Sequence, residues 1–203
     1  MLSEFQKSHV KEEKGTFANH SAHARISRIA ISTPLSDGVV AKLRAGDNVL
    51  LSGEIYTGRD AAHKRMAEML DAGLPLPFDA RGQAIYYAGP CPAPPGLVIG
   101  SVGPTTSLRM DAYSPQMIKE GLRVMIGKGS RNESVIDAIR RYKGVYMTAI
   151  GGTGALMALC VKSAEVIAFE DLGAEAVYKL FVRDMPLIVA IDCEGGSIYG
   201  LCE

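Results

Sequence analysis

The stretch from Asn48 to Leu70, NVLLSGEIYTGRDAAHKRMAEML, contains a complete strand-to-helix step. Its first nine residues, Asn48 to Tyr56, are rich in Val, Leu, Ile and Tyr and predict a strand. Thr57-Gly58-Arg59 breaks the run. Asp60 is placed to cap a helix that continues to about Leu70. Ala62, Met66 and Met69 are predicted to form its apolar face, with Arg59 and His63 on another side.

The same step recurs along the chain. Arg25 to Ser32 alternates as a first strand, Thr33-Pro34 ends it, and Ser36 is placed to cap a short helix over Val39, Val40 and Leu43 that Gly46 stops. Leu74 to Arg81 is irregular, and Ala84 to Tyr87 reads as a short strand. Gly89 to Gly96 (GPCPAPPG) is too proline-rich for regular structure. Leu97 to Val102 predicts a strand that ends at Gly103-Pro104-Thr105-Thr106. A helix through Arg109 and Met110 is expected next, then one from Pro115 to Gly121. Arg123 to Ile126 predicts a strand that stops at Gly127-Lys128-Gly129. Ser130-Arg131-Asn132-Glu133 has the capping-box pattern before a helix carrying Val135, Ile136 and Ile139. Val145 to Ile150 predicts a strand, Gly151 to Gly154 a turn, and 155–162 a helix. Strands at Glu165 to Phe169 and Leu187 to Ile191 complete the set. Strands alternating with helices predict an α/β fold with a mostly parallel or mixed sheet. There is no internal repeat.

The 203 residues suit one domain, residues 23–203, preceded by a polar, aperiodic leader over residues 1–22 that is expected to be mobile. Lys plus Arg and Asp plus Glu both number 22, so the chain carries no net charge and lacks the basic excess that a nucleic-acid partner requires. No apolar run approaches the ~20 residues of a membrane span, and the start has no apolar core of a signal peptide. The four cysteines, Cys91, Cys160, Cys193 and Cys202, show no metal spacing, and Cys160 lies in an apolar run as a buried small hydrophobe would. Reduced thiols and a cytoplasmic location are expected. His20 and His23 read as tail residues rather than metal ligands.

Three glycine-dense turns each carry a cation: Arg59 after the second strand, Arg109 after Thr105-Thr106, and Lys128 between Gly127 and Gly129. If they converge, they make a pocket for a small molecule with two or more carboxylates. Gly127-Lys128-Gly129-Ser130 is not a phosphate-binding P-loop, because Ser or Thr does not follow the lysine. Gly151-Gly152-Thr153-Gly154 lacks the third glycine of a dinucleotide fingerprint and reads as a tight turn. Thr105-Thr106 offers two hydroxyls at a strand end, with Arg109 on the same side of the next turn. No Gly-x-Ser-x-Gly elbow supports a serine hydrolase. His63 lies one helical turn after Arg59 and reads either as a general base or as a structural histidine.

TGRDAAHKR, SVGPTTSLRMD, MIGKG, AIGGTGAL, FEDLGAEAV and MPLIVAIDCEG occur in one order across about Arg25 to Tyr199. In these motifs the chain resembles the β subunit, or C-terminal domain, of class I iron–sulfur-dependent fumarate hydratases and L-tartrate dehydratases. The resemblance implies a swivelling β/β/α three-layer domain. It implies a partner α subunit that carries a [4Fe-4S] cluster, in an α2β2 assembly, so that no cluster ligand is expected from this chain. The implied reaction is reversible hydration of fumarate to L-malate. Arg59, Arg109 and Lys128 would hold the substrate carboxylates, Thr106 would bind one of them, and Thr105 would be the base, aided by an acid from the partner. Lys128 and Arg109 would also act in catalysis, with Asp60 and His63 behind the first line of contacts. Thr57-Gly58 and Ala61-Ala62 favour fumarate; tartrate, mesaconate, or a non-catalytic anion-binding module of the same fold stay open.

Overall fold

The computed structural model describes residues 28–200; the expected leader, the start of the first strand, His20, His23 and Cys202 lie outside the described residues. The predicted alternation is realised as β1 (Arg28–Ser32), α1 (Asp37–Val40), β2 (Asn48–Thr57), α2 (Asp60–Asp71), β3 (Ala84–Tyr86), α3 (Ser114–Lys119), β4 (Val124–Gly127), α4 (Glu133–Tyr142), β5 (Val145–Thr148), α5 (Gly154–Cys160), β6 (Val161–Ala168) and β7 (Val177–Ile191). Two short 3-10 turns, Ser107–Met110 and Glu170–Glu175, precede α3 and β7.

The strands form one mixed seven-stranded sheet in the order β1-β2-β3-β4-β5-β7-β6. β1 through β5 pair in parallel, while β7 runs antiparallel to β5, β6 and β2. Because β7 pairs with both β5 and β2, the sheet closes on itself into a small barrel. Strand alternation then divides the core. Ile55, Tyr86, Val124, Ile126, Met147, Leu180 and Val189 point inside the barrel. Tyr56, Ile85, Met125, Tyr146 and Ile191, the neighbours on the other side, pack outward with residues of α2, α3 and α4. Period-two alternation in each strand is what lets one strand serve two cores.

Several local expectations fail for identifiable reasons. Leu97 to Val102 forms no strand: it is stitched by isolated bonds from Cys91 N–H to Ser101 O, Gly100 N–H to Cys91 O and Val102 N–H to Gly154 O. Leu97 and Val98 stay exposed. Arg59, not Asp60, takes the extended N-cap position of α2. The cap of α4 is Asn132, whose Oδ1 accepts from Val135 N–H, so the Ser130–Glu133 box does not form. Ser36 does stand at the cap position of α1, but makes no side-chain cap bond. The segment through Arg109 is a 3-10 turn rather than an α-helix. β5 ends at Thr148, before Ile150, and α5 gives way directly to β6 at Val161. β7 begins ten residues before the expected Leu187, at Val177. Cys160 is half-buried rather than buried.

Removing a barrel-interior side chain leaves a cavity that the closed sheet cannot collapse. Ile126→Ala, at a position with no exposure, is expected to lower unfolding stability by ~2–5 kcal/mol. The reading is a fall in the urea midpoint at constant slope.

Candidate functional site

The parallel strands β2 to β5 all end on one side of the sheet, and in open α/β sheets ligands gather outside such carboxyl ends. Every candidate residue lies there. Arg59 and Asp60 follow β2, Thr105 and Thr106 lie on the segment that approaches β3 and β4, and Lys128 follows β4. Thr105 N–H donates to Tyr87 O at 2.6 Å, Lys128 N–H donates to Thr105 O at 3.3 Å, and Ser107 N–H donates to Lys128 O at 2.9 Å. Thr106 and Lys128 thereby form a parallel bridge. Gly127 makes this approach feasible: a Cβ there would collide with Ser107 Oγ and lie 2.8 Å from the Tyr87 ring.

Arg109, half exposed on the 3-10 turn, donates from Nε to Asp60 Oδ1 at 2.7 Å. That bond joins the Thr105–Arg109 segment to the start of α2. Arg59 is held by Glu175 at 3.3 Å, and the same carboxylate accepts from Ala61 N–H at 3.0 Å. Glu175 is a residue that sequence reasoning missed. It places a negative charge at the N-terminus of α2, where the helix dipole favours it. Lys128 is exposed, its stem passing 3.9 Å from where a Cβ on Gly151 would sit, so the Gly151–Gly154 turn adjoins it. Arg59, Asp60, Thr105, Thr106, Arg109 and Lys128 are thus connected in one continuous chain of contacts.

His63 is not on a separate face of α2 but fully buried, beside Ala62 and Met66, while Met69 is only partly buried. Its Nδ1 lies 2.9 Å from Arg59 O. A carbonyl only accepts, so Nδ1 carries the hydrogen and Nε2 is a bare acceptor. Burial pushes the imidazole down to about 4, with the Arg131 charge acting in the same direction. His63 is therefore neutral at pH 7. Of the four buried side-chain polar atoms without a partner among the described residues, three are Arg59 Nε, Asp60 Oδ2 and His63 Nε2. Buried polar atoms normally find partners; these three lie within one turn of each other.

Beneath the site lies a second feature the spacing did not reveal. Arg131, with no side-chain exposure, donates from Nε to Asp111 Oδ1 at 2.7 Å, and from a terminal nitrogen to Ser114 Oγ at 2.7 Å. Its guanidinium lies over the rings of Tyr146 and Tyr87, at 4.9 and 5.2 Å from their centroids. Asp111 also accepts from Asn132 N–H at 2.6 Å. Burial pushes the Tyr146 phenol upward, so it stays protonated and donates to Gly129 O at 2.8 Å. The network ties the Arg109 turn to the loop after Lys128. Asp111 ends the SLRMD run and Arg131 opens α4, but nothing in their spacing announces a pair.

Thr57 and Ala62, read from sequence as marks of substrate choice, are both buried. Thr57 Oγ1 accepts from Tyr178 N–H at 3.1 Å and fastens β2 to β7. Gly58 is packed too: a Cβ there would lie 3.0 Å from Ile85 Cδ1. These positions shape the fold under the site rather than its ligand surface.

The folded-state pKa of His63 is depressed, so its contribution is intact above pH 6.5 and is lost as pH falls toward 4. That loss amounts to about 3 kcal/mol, and His63→Gln should flatten this part of a stability-versus-pH curve. Asp111→Ala leaves Arg131 buried and unpaired, at an expected cost of ~3–5 kcal/mol, whereas the double change Asp111→Leu with Arg131→Met should recover most of it in denaturant melts.

The model for the Fumarase C-terminus family matches residues 3–201. That match includes the stretch read from sequence as a leader. The chain is 37% identical over 178 residues to the aerobic class I fumarate hydratase of Escherichia coli K12, covering 87% of this chain and 30% of that protein. It is 33% identical over 201 residues to a putative class I fumarate hydratase of Geobacillus stearothermophilus, covering 97% of this chain and 37% of that one. It is 42% identical over 166 residues to the putative L(+)-tartrate dehydratase subunit beta of Methanocaldococcus jannaschii, covering 79% of this chain and 85% of that subunit. The chain thus spans about a third of the length of the fumarate hydratases it matches. A family match over nearly the whole sequence establishes that this chain belongs to the Fumarase C-terminus family.

Proposed function

We propose that this chain is the substrate-holding subunit of a hydro-lyase that interconverts fumarate and L-malate, and that it works only with a cluster-bearing partner. The observation that carries the reading is the placement of Arg59, Arg109 and Lys128 on turns that touch one another at one end of the sheet. A dicarboxylate needs cations at both ends, and an arginine fork can grip a carboxylate with two bonds. Arg59 and Arg109 are now held by Glu175 and Asp60, in partly exposed pairs of small net strength. In this reading a substrate carboxylate competes for those guanidinium groups at little cost, while Glu175 and Asp60 keep them aimed.

Thr106, exposed beside Lys128, adds a hydroxyl donor to one carboxylate. In the dehydration direction a proton leaves the carbon next to the one that bears the hydroxyl, and Thr105 is the residue proposed to accept it. A threonine alkoxide needs positive charge nearby, which the Lys128 ammonium on the adjoining segment would supply. A partner acid in its ionised form would then take the proton onward. His63, neutral, fixes the Arg59–Asp60 turn by donating from Nδ1 to Arg59 O rather than serving as a charged acid.

As the family resemblance implies, the proposal assigns the [4Fe-4S] cluster to the partner. When bound there, the cluster supplies a Lewis acid for the departing hydroxide. The swivelling three-layer motion belongs to the same proposal: the closed sheet would move as a body and bring its strand-end turns against the partner. No helix among the described residues is long and apolar enough to cross a membrane. The tartrate reading keeps specific support from the 42% identity to the tartrate dehydratase subunit beta.

The test is anaerobic hydration of fumarate by this chain alone and then with its reconstituted partner, repeated with tartrate and mesaconate. Activity is expected only in the mixture and with fumarate. Turnover of tartrate alone would replace the substrate, and no turnover of any of the three would leave a non-catalytic module. In the active mixture, Arg109→Ala should lower kcat/KM by at least ~100-fold while thermal unfolding of the chain is unchanged, since Arg109 is half exposed. Near-normal turnover in that variant would remove Arg109 from the site.

A further inference from the structure

The Pro94–Ser101 loop and α5 enclose a groove of about 560 Å³. Its lining includes Leu97, Val98, Leu156 and Leu159, and no charged side chain. These four are 60%, 49%, 50% and 71% exposed, an unusual amount of free leucine and valine for two short segments. Ile150, 65% exposed, extends the apolar surface to the turn that adjoins Lys128. The groove is also joined to the site by backbone: Val102 N–H donates to Gly154 O at 3.1 Å, and a Cβ on Gly154 would come within 3.1 Å of Gly103 N. α5 therefore packs directly against the segment that leads into Thr105.

The lengths of the relatives identify the occupant. In the Escherichia coli fumarate hydratase the region like this chain is 30% of one polypeptide, so a much larger body is attached to it covalently. In the Methanocaldococcus jannaschii relative the same region makes up 85% of a separate subunit. A unit cut from its larger neighbour needs an apolar contact to hold what the peptide bond held before. We propose that the groove between the Pro94–Ser101 loop and α5 is the seat of the cluster-bearing partner subunit, which enters it with an uncharged apolar ridge. Seated there, the partner lies against the Gly103–Thr106 segment and over the mouth of the site. The inference rests on the hydro-lyase reading above and adds to it the surface that joins the two subunits.

The experiment co-expresses this chain with the protein of the same genome that matches the remaining two thirds of the fused fumarate hydratases. Affinity is measured by titration for the wild type and for the double variant Leu97→Glu with Leu159→Glu. Both side chains are exposed, so the isolated variant should melt as the wild type does. The expected result is partner binding at least ~30-fold weaker, with activity recovered at high partner concentration and KM for substrate unchanged. An active wild-type complex that the variant forms equally well would overturn the docking surface and leave the hydro-lyase reading intact. No complex and no hydration from the wild type would fail the reading itself. If the isolated wild type is a dimer and the variant a monomer of unchanged partner affinity, the groove belongs to a second copy of this chain. If partner affinity is unchanged and residues 1–27 become open to protease in the variant alone, the groove belongs to the chain's own N-terminal stretch.

Discussion

The pairing of β7 along both of its edges is the constraint on which the molecule depends. One edge binds β2 from Asn48↔Ile188 to Tyr56↔Lys179, and the other binds β6 and then β5. Without β7, the parallel strands β2 to β5 would form an open sheet with one apolar face against helices and the other bare. With it, the bare face becomes the interior of a barrel. Closure also removes the free edges that β2 and β5 would otherwise present. Parallel strands that start together finish together, so the turns after β2, β3, β4 and β5 are delivered to one rim.

Delivery to the rim does not by itself set side-chain geometry, because glycine-dense turns are loose. Rigidity comes from below, where the Arg131–Asp111 pair is clamped between two tyrosine rings and bonded to Ser114 and the Asn132 amide. A buried ion pair is poor value for stability alone, since desolvation offsets its attraction. Its worth here is positional. Asp111 lies two residues after Arg109, and Arg131 three residues after Lys128, so the pair fixes the spacing between two cations that have no direct bond to each other. The hydroxyl link from Ser107 to Tyr146, and from Tyr146 to Gly129, closes the same loop from the other side.

The strands β2 to β5 were legible because each is rich in apolar residues and each ends in glycine or a hydroxyl residue. The site was legible in part because two of its cations, Arg59 and Lys128, stand just after β2 and β4. Glu175 and the Arg131–Asp111 pair were not, since each partner is more than fifteen residues away and no local rule links them. The first two thirds of β7 were hidden by Lys179, Arg183, Asp184 and Pro186, which read as loop chemistry. Two of them, Arg183 and Asp184, lie on exposed backbone, and Asp184 has a left-handed φ of 51°. The Leu97–Val102 error has a different cause. An apolar run reads as a strand only if its side chains are assumed to be buried within their own chain. Leu97 and Val98 break that assumption, and the misreading points to the same groove as their exposure does.

These observations share one physical form: polar and apolar groups left without partners around the rim that carries the candidate site. An unpaired buried polar atom costs ~1–3 kcal/mol, and three of them sit within the first turn of α2. Exposed leucines impose a hydration cost of their own, about 25 cal/mol for each Å² of apolar surface. The barrel interior, by contrast, is filled by buried side chains. Binding free energy can recover both costs at once, if the orphaned atoms meet polar groups and the leucines meet apolar ones. The orphans lie among the cations and the leucines lie outside them. A small dianion could satisfy the first set but not the second, and a purely apolar partner the second but not the first. On the proposed reading, substrate and partner divide the two tasks, and the rim where the groove meets the Lys128 turn is where their contributions join.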